Sequence, residues 1–344
     1  MIARCARPQN RMVGPMSVGR TSLLLFALLL APLWAEARPE RVTIQLPWKH
    51  QFEFAGYYAA IEQGFYAQRG LEVELREYHE GIDVVAEVLA GRADFGVTDT
   101  SVIQARLEGA PVIMLANYFK RMPLVILARP GIKRVADLRG RRLMISTKDL
   151  RSPLMRLAFE VEGLRPGQDF TVIPHSFNAE PLLNGEVDAM AAFYSNEPFY
   201  LERKGFDYNL IDLSSYLRST GDVYFFTSKA RAEQDPILVR NLIEATSEGW
   251  RYALAHKEEM VDLILRQWSQ RKEREALLFE AKRTHDLIRP MPLPVGAVYA
   301  EAVEEVAALI RRQQGLIDRG ELRGFFFDER SARAGTLDLS ESER

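Results

Sequence analysis

"LAGRAD" at residues 89–94 returns as "LNGEVD" at 183–188, 94 positions later. Each copy of this L-x-G-x-[AV]-D element is preceded by a helix, a Gly-Leu pair (70–71, then 163–164) and a strand. One such match carries little weight; two in register, inside the same order of elements, predict two similar α/β lobes.

Outward from the first copy, "RVTIQLPW" (41–48), "GLEVELREY" (70–78), "ADFGVT" (93–98) and "PVIMLANYF" (111–119) read as strands. "AGYYAAIEQG" (55–64) and "IDVVAEVLAG" (82–91) carry apolar residues at helical spacing and end on glycine. The second copy repeats this with strands "RRLMIS" (141–146), "DFTVIPH" (169–175) and "VDAMAAFY" (187–194). Its helices are "SPLMRLAFEVEG" (152–163) and "AEPLLNG" (179–185). Strands alternating with helices argue for parallel α/β sheets. After "VYFFTS" (223–228) four long segments show the 3.6-residue period and predict helices that complete the first lobe. "LVILAR" (124–129) and "VYFFTS" are the strands expected to cross between lobes.

The N-terminus has a different character. A basic stretch (4–20), the apolar run "TSLLLFALLLAPLW" (21–34) and "AEA" (35–37) make a signal peptide over 1–37, too short in its apolar part for a membrane span. Its removal takes four arginines and one glutamate and moves the formal charge from −2 to −5. No basic stripe remains, which excludes a nucleic-acid role. The single cysteine, Cys5, leaves with it, so a mature chain has no disulfide, thiolate nucleophile or cysteine metal ligand. A periplasmic location is expected. The remainder is expected to divide into lobe 1 (38–126 with 226–328), lobe 2 (127–225) and a polar tail (329–344).

Three motifs carry a resemblance. "LPWKHQFEFAGYYAAIEQGFYAQRGLEVEL" (46–75), "LAGRADFGVTDTS" (89–101) and "AAFYSNEP" (191–198) resemble the thiamine pyrimidine synthase-like branch of periplasmic solute-binding proteins, which includes alkanesulfonate-binding relatives. The likeness runs over roughly residues 40 to 230. It implies a type II periplasmic-binding-protein clamshell: two parallel-sheet lobes with C-terminal helices, closing on a small molecule.

In such sheets ligands bind beyond the carboxyl ends of strands. The segments expected there are "PWKHQFEFAG", "VTDTS", "ANYFKR", "STKDLRS", "HSFN" and "FYSNEP". Trp48 can stack on a planar ligand; Phe54, Gly56 and Tyr57 open the helix behind it, with Gly56 admitting a ligand to the backbone. His50 reads as a polar loop residue, because the family's histidine stands nearer the glycine, where this chain has Phe54. Asp99 follows a strand, and Ser101 with Gln104 has the spacing of a capping box. Asn117 ends a strand of the first lobe and Asn178 a strand-loop of the second. Lys148 and Arg151, at a helix start, suit an anion. Tyr194 ends a strand, and Asn196 and Glu197 occupy the turn before Pro198, where a carboxylate accepts from an aminopyrimidine's N–H groups.

These residues point to a binding protein for a small, thiamine-pyrimidine-precursor-like heteroaromatic solute. No catalytic residue, metal or cofactor is assigned. The expected partners are the ligand and an ABC transporter permease, with the protein a monomer. The resemblance also implies two alternatives. One is the pyrimidine phosphate synthase of thiamine biosynthesis, whose cysteine-rich motif a mature chain lacks; the other is a sensing subunit for a membrane signalling protein.

Overall fold

The computed structural model describes residues 38–217, 221–289 and 294–329. The expected signal peptide (1–37), with Cys5, lies outside the described residues, as does the tail from residue 330 onward.

Among the described residues ten strands form two five-stranded sheets. In the first, β1 (Glu40–Gln45), β2 (Leu71–Arg76), β3 (Phe95–Thr98), β4 (Val112–Phe119) and β10 (Asp222–Ser228) lie in the order β2-β1-β3-β10-β4. In the second, β5 (Leu124–Ala128), β6 (Arg142–Ile145), β7 (Thr171–Pro174), β8 (Ala189–Phe193) and β9 (Asn209–Asp212) lie in the order β7-β6-β8-β5-β9. The two orders are the same pattern. Three parallel strands come first, then an antiparallel one supplied from the other side of the crossover, then a last strand antiparallel to that one. Each sheet is therefore mixed, with a parallel core.

The helices are α1 (Ala55–Glu62), α2 (Val84–Leu89), α3 (Ser101–Leu107), α4 (Thr147–Arg151), α5 (Pro153–Val161), α6 (Glu180–Leu183) and α7 (Glu197–Arg203). After β10 follow α8 (Lys229–Gln234), α9 (Pro236–Ala255), α10 (Lys257–Leu263), α11 (Arg274–Ile288) and α12 (Ala300–Gln314). They cover both faces of both sheets, as parallel strands require. In β5, for example, Leu124, Ile126 and Ala128 enter one core while Val125 and Leu127 enter the other. α12 straddles the lobes: Val303, Val306, Ala307 and Ile310 join the first lobe's core and Leu309 the second's.

The repeated element is backbone chemistry. Gly91 (φ +68°) and Gly185 (φ +78°) each stand in the left-handed region just past a helix. The following N–H groups, of Arg92 and Glu186, donate back to the carbonyls of Glu87 and Pro181, which closes a Schellman motif twice. The closing aspartates then latch the neighbouring strand in both directions. Asp94 donates its N–H to the Thr43 carbonyl and accepts the Thr43 N–H at 2.7 Å; Asp188 does the same with Arg142, accepting at 2.8 Å.

β5 and β10 do not straddle the lobes as expected. Each belongs whole to one sheet, because both faces of each strand are buried in one lobe. The crossings are the connections after Phe119 and after Asp212.

Candidate functional site

Residues that follow the carboxyl ends of β1, β3, β6, β7 and β8 come together between the lobes: Trp48 meets Phe177, Asp99 meets Lys148, and Asn196 meets Lys272. The Gln45 amide donates to the carbonyls of Leu46, Arg76 and Glu77 at 3.1–3.2 Å, which ties the loops after β1 and β2 together. Trp48, half-buried on this support, packs against Tyr78 (ring centroids 5.1 Å) and reaches Phe177 of the second lobe (5.8 Å).

The chain then turns inward. Phe54, Gly56 and Tyr57 are fully buried in the first lobe's core. The space that Gly56 leaves is taken by the Trp250 ring of α9, into which a Cβ would collide. Tyr57 packs edge-on against Tyr118, Phe225 and Trp250. The small residues expected to admit a ligand admit a crossing helix instead. His50 is held by the Tyr58 hydroxyl at 2.9 Å and by the Trp268 ring, and burial lowers its basicity.

Asp99 projects from the end of β3. Burial opposes its charge, but the Lys148 ammonium and the Ser101 N–H outweigh that and hold its carboxyl below the usual range. The Lys148 contact, 2.8 Å, joins the first lobe to α4 of the second, so this cation pairs with a carboxylate where an anion site was expected. Arg151 is exposed. The expected capping box does not form. Ser101 is exposed and pairs with the Thr98 hydroxyl at 2.9 Å, Gln104 bonds Glu108, and the Asp99 carboxylate takes the Ser101 N–H at 2.9 Å.

Asp222 lies in the same group. Burial first, then the Asp99 charge, pushes its carboxyl up to about 8, against the opposing pull of Lys148 and its bond from the Val223 N–H. Val223 itself has φ +56°. For a β-branched residue this is an outlier costing ~1–3 kcal/mol, and such strain gathers at functional sites. Asn117 is buried behind it: its amide donates to the carbonyls of Phe119 and Asp222, which fixes β4 to β10 and leaves no amide hydrogen for a ligand.

A buried polar chain also joins the lobes. Gln51 donates to Glu53 (2.9 Å), and the Glu53 N–H donates to Glu280 of α11 (3.0 Å). Lys272 donates to Glu280 (3.0 Å) and to Asn196 (2.6 Å), and Asn196 donates to Glu197 (2.7 Å). Glu197 also takes the Phe193 N–H at 2.7 Å. Burial pushes Glu53 to about 7, with Glu280 adding to the push, and it raises Glu197 as well. Tyr194 receives a hydrogen bond from Arg283 of α11 at 2.5 Å and lies under that guanidinium. Asn196, Glu197 and Tyr194 thus meet the first lobe's C-terminal helices through cations that sequence reasoning did not single out.

The second lobe's remaining contribution is the loop after β7. The His175 Nδ1 accepts the Phe177 N–H and its Nε2–H donates to the Ala191 carbonyl, both at 2.8 Å. Asn178 is exposed and closes the turn into α6, accepting from Glu180 and donating to Ser176. Among the described residues no group of three or more His, Cys, Asp or Glu is placed to hold a metal ion.

Of the expected residues, Trp48, Asp99, Tyr194, Asn196 and Glu197 line the contact between the lobes. Phe54, Gly56, Tyr57 and Asn117 are structural supports, and Ser101 and Asn178 are exposed loop residues. Missed were Gln51, Glu53, Tyr78, Phe177, Asp222, Lys272 and Glu280. Phe177 was within sight, inside "HSFN"; nothing local marks Lys272 or Glu280, which reach the gap from the C-terminal part of the chain.

The NMT1/THI5-like family model matches residues 51–260. The riboflavin-binding protein RibY of Chloroflexus aurantiacus is 28% identical over 238 residues, 67% of either chain. A formylaminopyrimidine-binding protein of Halalkalibacterium halodurans is 22% identical over 71% of this chain and 77% of its own. Among solved structures, the periplasmic aliphatic sulphonate binding protein SsuA from Escherichia coli shares the fold, with TM-score 0.65 at 18% identity over 84% of this chain and 98% of its own. Together with the paired sheets and the residues that meet between them, these matches make the chain a member of the NMT1/THI5-like family with the fold of a type II periplasmic binding protein.

Proposed function

We propose that the protein captures a small planar heteroaromatic solute with N–H donors between its lobes, in the periplasm, and delivers it to an ABC-type permease. The observation that carries this is the chemistry of the loops that meet between the lobes: they carry aromatic faces (Trp48, Tyr78, Phe177) and carboxyl groups (Asp99, Asp222, Glu197). Aromatic faces suit a flat ring; the Asp99 carboxylate, which keeps its charge, suits an amino group or a protonated ring nitrogen, and the Asp222 carboxyl, protonated at neutral pH, can donate to a ring nitrogen or carbonyl.

An anionic solute fits less well. Lys148 is held by Asp99, Lys272 by Glu280 and Asn196, and Arg283 by Tyr194 and Glu202, so these cations already have partners. The relatives named for riboflavin and formylaminopyrimidine bind ring systems of the proposed kind. Closure about the two inter-lobe connections would desolvate the ligand, and residues 1–37, read as a leader, support export.

Calorimetric titration of the purified protein with riboflavin, an aminopyrimidine, an aliphatic sulfonate and a polyamine tests the reading. Heat with a planar heterocycle and none with the sulfonate is expected. Binding of the sulfonate alone would overturn it.

A further inference from the structure

We infer that Phe177 is the second lobe's wall of the ligand site, and that the ligand's ring inserts between Phe177 and Trp48. This rests on the heteroaromatic reading above and gives a role to a residue that the segment "HSFN" contained without singling it out.

Four rings stand in a row across the lobes: Tyr78 and Trp48 from the first, Phe177 and His175 from the second. Successive centroids are 5.1, 5.8 and 5.0 Å apart. The outer two contacts lie within one lobe each; only Trp48–Phe177, tilted by 37°, crosses. Phe177 has φ +56°, one of two positive values among described non-glycine residues. That conformation is held from both sides, by His175, which takes the Phe177 N–H and is itself anchored to Ala191, and by Asn178, which closes the turn into α6.

Phe177 is nevertheless 63% exposed, so the strained conformation serves no core. What the conformation achieves is to aim an aromatic face at Trp48 across the gap. Carbon contacts at ~3.5–4.0 Å on each face require ~7–8 Å between walls. The two rings stand with centroids 5.8 Å apart and a tilt of 37°, so admitting one planar layer takes both a straightening of that tilt and a parting of the lobes. An aliphatic chain gains little from such a slot, so the pair selects for a ligand flat on both faces.

The test uses riboflavin and an aminopyrimidine as probes on Phe177→Leu, Phe177→Trp and the unaltered protein, with circular dichroism confirming equal folding. Exposure of the side chain makes both variants compatible with the fold. Leucine keeps the bulk and removes the π face, so its affinity for the planar probe should fall about 3- to 10-fold, while tryptophan holds it within about twofold. Equal affinity in Phe177→Leu, with the unaltered protein binding the probe, overturns the wall while leaving the heteroaromatic reading intact. Failure of the unaltered protein to bind either probe overturns both.

Discussion

The loops after β1 and after β6 occupy matching places in the two lobes, yet they are built in opposite ways. After β1 the chain enters a short 3-10 turn in which Gln51, Phe52, Glu53 and Phe54 are all buried, fastened to α11 through Glu280. After β6 it enters α4, in which no residue is buried, and its Lys148 reaches out to Asp99. The backbone latches beneath them are alike, Asp94 on Thr43 and Asp188 on Arg142. The sheet chemistry is the same in both lobes and the walls differ: one is anchored in the core, the other presents exposed groups.

The largest expected effect tests the anchored wall. Lys272 and Glu280 form a buried pair, with Glu280 fully inaccessible and Glu53 pressed close. Lys272→Met strands that carboxylate, so stability should fall by about 3–5 kcal/mol in urea titration. A loss below about 1 kcal/mol would mean that water already reaches the pair and that the two walls differ less than the comparison claims.

Next comes the shared latch. Asp94→Ala and Asp188→Ala each remove a charged acceptor from a strand N–H, an effect of about 1.5–3 kcal/mol. The Arg142 guanidinium also binds Asp188 at 2.9 Å, whereas Asp94 has the Thr43 hydroxyl, so Asp188→Ala should be the costlier by a few tenths. Equal backbone roles predict losses of similar size; a loss confined to one lobe would break the equivalence.

Asp222 contributes a pH dependence. Its carboxyl titrates at about 8 in the folded state, and Asp99, Lys148, Glu53 and the Val223 N–H face it. Unfolded, an aspartate releases its proton near pH 4. Between those values the folded state holds the extra proton, so stability falls as pH rises, by up to about 1.4 kcal/mol per unit, and flattens above pH 8. Glu53 adds a decline of the same sign over a narrower window, ending at about 7. Asp222→Asn mimics the protonated acid. Thermal melts from pH 5 to 9 should show a shallower decline in the variant and the greater stability at pH 8; parallel declines would remove Asp222 as the source.

What the sequence made legible follows the same division. The Gly-Leu pairs and L-x-G-x-[AV]-D elements are local, so they marked both lobes and their strands correctly. That Trp48 and Glu197 would stand where the lobes meet followed from their places at strand ends. Gly56 and Tyr57 misled because a small residue and an aromatic beside a cleft look alike whether they receive a ligand or a helix; the helix that claims them, α9, carries Trp250 nearly two hundred residues later. Lys272, Glu280 and Asp222 acquire their roles only through tertiary contact, which no spacing records.

The smallest effect on stability concerns the exposed wall, and it discriminates most finely. Asp99 and Lys148 meet at 2.8 Å, but the Lys148 side chain is 68% exposed and the Asp99 side chain 30%. A pair so open to solvent couples by only ~0.2–1 kcal/mol. A double-mutant cycle with Asp99→Asn and Lys148→Met should return a coupling in that range, falling as salt is raised. Its value lies in where the energy acts: the two charges sit on different lobes, so in the proposed clamshell the pair would favour a closed arrangement over an open one. Small-angle scattering of Lys148→Met should then show a larger radius of gyration than the unaltered protein at low salt, with the difference shrinking in high salt. An unchanged radius with a normal coupling energy would place the charge pair in both arrangements, and closure would rest on Trp48, Phe177 and the Arg283–Tyr194 contact instead.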